Sequence, residues 1–139
     1  MRANLLVNMG SPSSEKEMKT FLKNMFLDKA IIAAPYLIRK MLSFFISNLR
    51  YKNSWSKYEL IGGSPLLSAM EHIKQDLQIS LDSEFEVYRA YSYSNPTIFE
   101  AIKEIKSKGI TEIFVLSMYP HNCVSTTGSI EHEDRKSVV

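Results

Sequence analysis

The stretch Ile113-Phe114-Val115-Leu116-Ser117-Met118-Tyr119-Pro120-His121-Asn122-Cys123-Val124-Ser125-Thr126-Thr127-Gly128-Ser129 decides how this chain reads. Its apolar run, Ile113 to Leu116, has the length and β-branched content of a buried parallel strand, and Pro120, which cannot donate to a ladder, stops it. Past Pro120 the chain reads as a loop leaving the carboxyl end of a strand, the edge at which open α/β sheets bind ligands. Ser125-Thr126-Thr127-Gly128-Ser129 puts four hydroxyls and a glycine into five residues, groups that either cap a helix or hold a polar ligand.

The same alternation of strand, turn and helix runs upstream. Asn4-Leu5-Leu6-Val7-Asn8-Met9 reads as a short buried strand, closed by the dense turn Gly10-Ser11-Pro12-Ser13. Ser14 with Glu17 forms a capping box, and Met18, Phe21, Leu22 and Met25 recur at helical spacing. The turn holds one glycine where a dinucleotide loop needs three, which counts against a nucleotide site there. Gly62 and Gly63 open a second tight turn, with Ser64 expected to cap, Pro65 to take the first helical position, and Leu66, Met70, Ile73 and Leu77 to form the buried stripe. His72 falls off that stripe and reads as a solvated histidine. Glu84 to Tyr91 alternates in polarity as a strand does. Asn95 is then expected to cap a helix whose first residue is Pro96 and whose inner face is Ile98, Ala101, Ile102 and Ile105, before Gly109 ends it. The order predicts an α/β fold: a Rossmann-like parallel sheet with helices on both faces.

Ala30 to Leu49 is unusually apolar. Pro35 is placed to start a helix, and Tyr36, Leu37, Ile38, Met41, Leu42, Phe44, Phe45 and Ile46 spread around much of its circumference. Such a helix is either packed in a core on two sides, or is a lip over an apolar ligand cavity or a surface that rests on a membrane or partner. Arg39, Lys40, Arg50 and Lys52 flank it and would suit ligand carboxylates or anionic headgroups, although ordinary solvation explains them equally well.

Composition narrows the classes. A chain of 139 residues is long enough for one domain with a core of its own. A net charge of +2 without a concentrated basic stripe argues against nucleic acid as a partner. The single cysteine, Cys123, excludes an internal disulfide and fits a reducing compartment. Met1-Arg2-Ala3 runs directly into a strand, which leaves no room for a leader, and no stretch approaches the roughly 20 apolar residues of a membrane span. The expected location is therefore cytoplasmic. His121, Cys123 and His132 lie within a dozen residues of one another, but their spacing is not that of a zinc site, and a catalytic role for Cys123 would need a positioned base. No metal ligand and no catalytic residue is assigned to this chain.

Taken together, Leu6-Val7-Asn8-Met9-Gly10-Ser11-Pro12, Ile61-Gly62-Gly63-Ser64-Pro65-Leu66, Tyr93-Ser94-Asn95-Pro96, and Tyr119-Pro120 followed by Ser125-Thr126-Thr127-Gly128-Ser129 resemble the ordered signature of the ferrochelatases. The resemblance covers residues 4–129 and implies a lyase of haem biosynthesis that inserts ferrous iron into a porphyrin held between two Rossmann-like halves. Residues 1–133 would be the N-terminal half, without a cofactor of its own, with porphyrin and ferrous iron as substrates and the missing C-terminal half as partner. Carried over residue by residue, Met9 resembles a residue facing the macrocycle, Arg50, Tyr58 and Ser64 those that hold its carboxylates or wall its pocket, and Tyr93 a pocket tyrosine. The segment 30–49 resembles the pocket lip, with peripheral membrane contact as a further expectation. Ser92 stands where the family often has an arginine, which sets aside any arginine-dependent step there. The family's histidine and acidic proton acceptors occur well after the hydroxyl loop, and neither His121 nor His132 matches that histidine. A non-catalytic tetrapyrrole-binding module, or a flavodoxin-like nucleotide or phosphate binder using the hydroxyl loop, are the alternatives.

The last six residues, Asp134-Arg135-Lys136-Ser137-Val138-Val139, back-translate as GAT CGG AAG AGC GTC GTG and resemble a common sequencing adapter. Residues 134–139 are accordingly expected to be a non-native tail closing a truncated gene.

Overall fold

A computed structural model gives the fold and describes residues 1–121 and 123–130. Strand β1 (Arg2–Asn8) is followed by three helices, α1 (Glu15–Leu27), α2 (Tyr36–Leu60) and α3 (Leu66–Ser80), then β2 (Phe85–Tyr91), α4 (Ile98–Ser107) and β3 (Glu112–Ser117). The strands form a parallel sheet in the order β2-β1-β3, with Asn4 opposite Val87 on one side and opposite Phe114 on the other. Successive side chains of a strand face opposite ways. Ala3, Leu5 and Val7 of β1 therefore join Tyr88, Ala90 and the Ile98, Ala101, Ile102 and Ile105 face of α4 in one core, while Leu6 joins Val87, Tyr91 and Met70 of α3 on the opposite face. This is the α/β, Rossmann-like sheet with helices on both faces that the alternation predicts. Because β2 and β3 flank β1 from opposite sides, the winding reverses beside β1, and the loops leaving the carboxyl ends of the strands gather along one edge of the sheet.

Four expectations shift, each for a local reason. Helix α4 is capped by Thr97, not Asn95: Thr97 Oγ1 accepts from the Glu100 N–H at 3.2 Å while Glu100 Oε2 accepts from the Thr97 N–H at 2.9 Å. Tyr91 N donates to Pro96 O, so residues 92–96 loop out before the helix begins and Tyr93 gains a longer connection. At α3 the helix begins at Leu66, one residue past Pro65, and Ser64 Oγ accepts from the Leu66 N–H at 3.3 Å. Ile73 is 40% exposed and Leu67 packs in its place, because α3 lies over β2, the terminal strand, with nothing beneath its outer flank.

The largest shift concerns burial. β3 is parallel as predicted, but Phe114, Val115 and Leu116 are 37–50% exposed, because among the described residues β3 has a strand on one side only. Helix α2 runs 25 residues, about 37 Å at 1.5 Å per residue, and packs on α1. Its buried residues are Ser43 and Ser47, whereas Tyr36, Leu37, Ile38, Met41, Leu42, Phe44, Phe45 and Leu49 are 39–79% exposed. The doubly packed core helix is thus overturned. Two small side chains let α2 approach α1 closely, and their hydroxyls turn back onto the Lys40 and Phe44 carbonyls, so that neither hydroxyl is stranded.

Candidate functional site

The crevice is built from three connections. In the first, Gly10 adopts φ of +88°, and a Cβ there would stand 2.0 Å from Ser94 Oγ, so only glycine allows the two loops to meet. They are joined by Ser92 N to Asn8 O, Tyr93 N to Met9 O, both 3.0 Å, and Ser11 N to Ser94 Oγ at 3.2 Å. Met9 is half-buried at this seam, its N–H held by Asn8 Oδ1 at 2.7 Å.

The second connection carries Tyr93, which is 4% exposed. Its ring meets Phe21 edge-on at 6.0 Å, and its phenol donates to Asp28 Oδ2 at 2.8 Å. The third is the hydroxyl loop, where Ser129 also donates to Asp28 Oδ2 and lies 3.4 Å from the Tyr93 hydroxyl. Burial is the main cause holding the Tyr93 phenol above its ordinary value, with the Asp28 carboxylate adding to the rise and Ser129 opposing it. Tyr119 is pushed up to about 12, by burial first and then by the charges of Asp28 and Cys123. Cys123 is exposed and its thiol is lowered, chiefly through hydrogen bonding with Ser125 and then Thr126.

A cavity of about 410 Å³ lies between the loops after β1 and β2 and α1, lined by Ser11, Ser14, Phe21, Asn24, Leu67 and Tyr93 among others, with the hydroxyl loop behind Tyr93. A second, of about 600 Å³, adjoins it through Pro12, Ser13 and Leu67 and is walled by Trp55 and Glu59 of α2 and by Gly63 and Ser64. Of the residues expected to hold a macrocycle, Tyr93 lines the first cavity and Ser64 the second, and Met9 sits at the seam bonded to the Tyr93 loop. Tyr58 lines neither, but its ring stacks near-parallel on Trp55, with centroids 6.4 Å apart. Arg50 stands apart on the exposed surface of α2, two helical turns before Tyr58.

Sequence reasoning missed Asp28 and Trp55. The one local hint for Asp28 is that it caps the carboxyl end of α1, where an acid opposes the helix dipole. Among the described residues no group of three His, Cys, Asp or Glu side chains could hold a metal ion. His121 is exposed, and His132 lies outside the described residues.

The arrangement is a long, shallow crevice with aromatic and hydroxyl walls, at the strand ends of a doubly wound sheet, beside a helix that presents bare apolar side chains. The family model for ferrochelatase matches residues 2–138. The chain belongs to the ferrochelatase family. It is 41% identical over 132 residues to a ferrochelatase of Rickettsia bellii, covering 91% of this chain and 37% of that one. It is 39% identical over 137 residues to one of Prochlorococcus marinus, covering 95% and 35%, and 38% identical over 131 residues to one of a Nitratiruptor species, covering 93% and 42%. The chain thus spans about two-fifths of the length of the ferrochelatases it matches, and the family model covers the four ferrochelatase-like loops.

Proposed function

We propose that this chain supplies one wall and the lip of a porphyrin site in an enzyme that inserts ferrous iron into the macrocycle. The observation that carries the reading is the pairing of a crevice at the sheet's carboxyl edge with the exposed apolar stripe of α2. A tetrapyrrole is a flat, mostly apolar disc with carboxylates at its rim, and its site needs apolar walls with a few cationic or hydroxyl groups at the edge. In this reading Met9 and Tyr93 face the disc, Ser64 and Tyr58 bound it, and Arg50 meets a rim carboxylate once the lip closes. Metallation also requires two pyrrole N–H protons to leave, so a base must sit against one face of the disc. Those acceptors belong to sequence beyond the hydroxyl loop in this proposal, and residues 134–139 are no part of the working enzyme.

The chain's only tryptophan, Trp55, lines the second cavity and gives a direct assay. Titration with a dicarboxylate porphyrin should quench its fluorescence saturably, while iron insertion by this chain alone should be undetectable. Saturable binding of a mononucleotide in place of porphyrin would favour the phosphate-binder alternative. Porphyrin binding without iron insertion by the gene's full product would favour the carrier.

The lip carries a second, peripheral role in this proposal. Residues 14–60 hold nine Lys and Arg against four Asp and Glu, beside the exposed apolar stripe, a combination suited to an anionic bilayer surface. No helix among the described residues is long and apolar enough to cross a membrane, and the contact proposed is a peripheral one. Co-sedimentation with phosphatidylglycerol vesicles that is lost at high salt would support it, and equal recovery with neutral vesicles would count against it.

A further inference from the structure

Asp28 ties together three segments at the crevice: the Tyr93 loop that lines it, the hydroxyl loop, and its own connection to α2. Its Oδ2 accepts from the Tyr93 phenol at 2.8 Å and from the Ser129 hydroxyl, and its Oδ1 accepts from the Ala30 N–H at 2.8 Å. The two hydroxyls lie 3.4 Å from each other, which closes a triangle. Its partners are 65 and 101 residues away along the chain. They come from the loop after β2 and from the loop after β3, while Asp28 itself begins the connection to α2. With Tyr93 only 4% and Ser129 only 1% exposed, water does not compete for these bonds, and bonds to an ionised acceptor are about twice as strong as neutral ones.

We infer that Asp28 is a positioning residue for the macrocycle: it acts through Tyr93, holding that ring as the end wall of the 410 Å³ cavity and clamping the hydroxyl loop and the root of the lip to it. Asp28 lines neither cavity, so its effect on a ligand is transmitted rather than direct. The inference rests on the porphyrin reading for its ligand and on the triangle alone for its geometry. Three segments far apart along the chain share one carboxylate. Removing its charge therefore loosens all three together, where removing a packing contact would loosen one.

The test uses the whole chain with Asp28→Asn, Tyr93→Phe and the double variant, and Ile105→Val as a control that weakens the α4 core far from the crevice. Asn keeps the size of Asp28 and the bond to Ala30 but puts a donor-only NH₂ in place of Oδ2, so the Tyr93 and Ser129 O–H protons lose their shared acceptor. Amide hydrogen exchange should rise about tenfold at residues 123–130 and 30–32 in Asp28→Asn, and porphyrin affinity by Trp55 quenching should fall about tenfold, the loss of one charge-assisted bond. The double variant should bind no more weakly than Asp28→Asn alone, and Ile105→Val should leave affinity unchanged. Losses that simply add, or exchange and affinity unaltered in Asp28→Asn, would overturn the inference. If Asp28→Asn fails to fold, Ser129→Ala removes one donor only and should still raise exchange at residues 123–130 and lower affinity severalfold; wild-type values there would be equally fatal. A wild-type chain that binds no porphyrin would defeat the proposed function and the positioning role alike, and exchange at residues 123–130 would then report whether the triangle still governs the loops.

Discussion

Gly10 shows how much of the crevice hangs on one residue. Its φ of +88° disfavours any side chain, and the 2.0 Å approach to Ser94 Oγ would force the two loops apart even if the strain were tolerated. Gly10→Ala should cost about 2–3 kcal/mol, combining left-handed strain with the lost close contact. Urea unfolding followed by circular dichroism would measure it. The buried tyrosines make a second prediction at this scale. The folded chain holds the phenolic protons of Tyr93 and Tyr119 more tightly than the unfolded chain, whose ordinary value is 10.0. Their contribution is therefore complete below about pH 10 and is lost as pH rises above it, for Tyr119 through about 12. The urea midpoint should fall between pH 9.5 and 12 in the wild type and fall less in Tyr93→Phe, roughly half-unit pH steps being sufficient to see it.

At the scale of elements, α2 and β3 share one property: each has apolar side chains that no other described residue covers. Polar substitutions on the exposed face of α2, such as Leu37→Gln with Phe45→Gln, should leave stability within about 0.5 kcal/mol, since these side chains bury little in the chain itself. The same pair should weaken porphyrin binding, measured by Trp55 quenching. Arg39 is a different case on the same helix. Its Nε and Nη1 are buried and have no hydrogen-bond partner among the described residues. An unpaired buried donor costs roughly 1–3 kcal/mol, so Arg39→Met should raise the unfolding free energy by an amount in that range. A fall in stability instead would mean that the guanidinium finds a partner in solution. The capped helix α4 was readable from Ile98, Ala101, Ile102 and Ile105, because a period of 3.6 is written in neighbouring residues. Its cap was misplaced by two residues because the Tyr91–Thr97 bridge, a pairing across the loop, outcompetes a nearer Asn.

For the whole molecule, the exposed stripe of α2 and the open edge of β3 predict self-association. An edge strand with bare backbone groups and Phe114, Val115 and Leu116 half exposed is a template for pairing with another chain. Sedimentation velocity should show species heavier than 15.9 kDa at micromolar concentration, and Val115→Lys should shift the distribution toward monomer. Sequence alone determined the order of strands and helices, the two-faced sheet, and the loops that carry the family signature. Each of these is encoded by local periodicity or by a run of a few neighbouring residues. Tertiary structure decided that α2 turns its serines inward and its large side chains outward, that β3 is an edge, and that Tyr93 and Ser129 share the Asp28 carboxylate. Which face of an element is covered, and which distant hydroxyl meets which acid, depends on what lies across from it in space, and no pattern along the chain contains that distance.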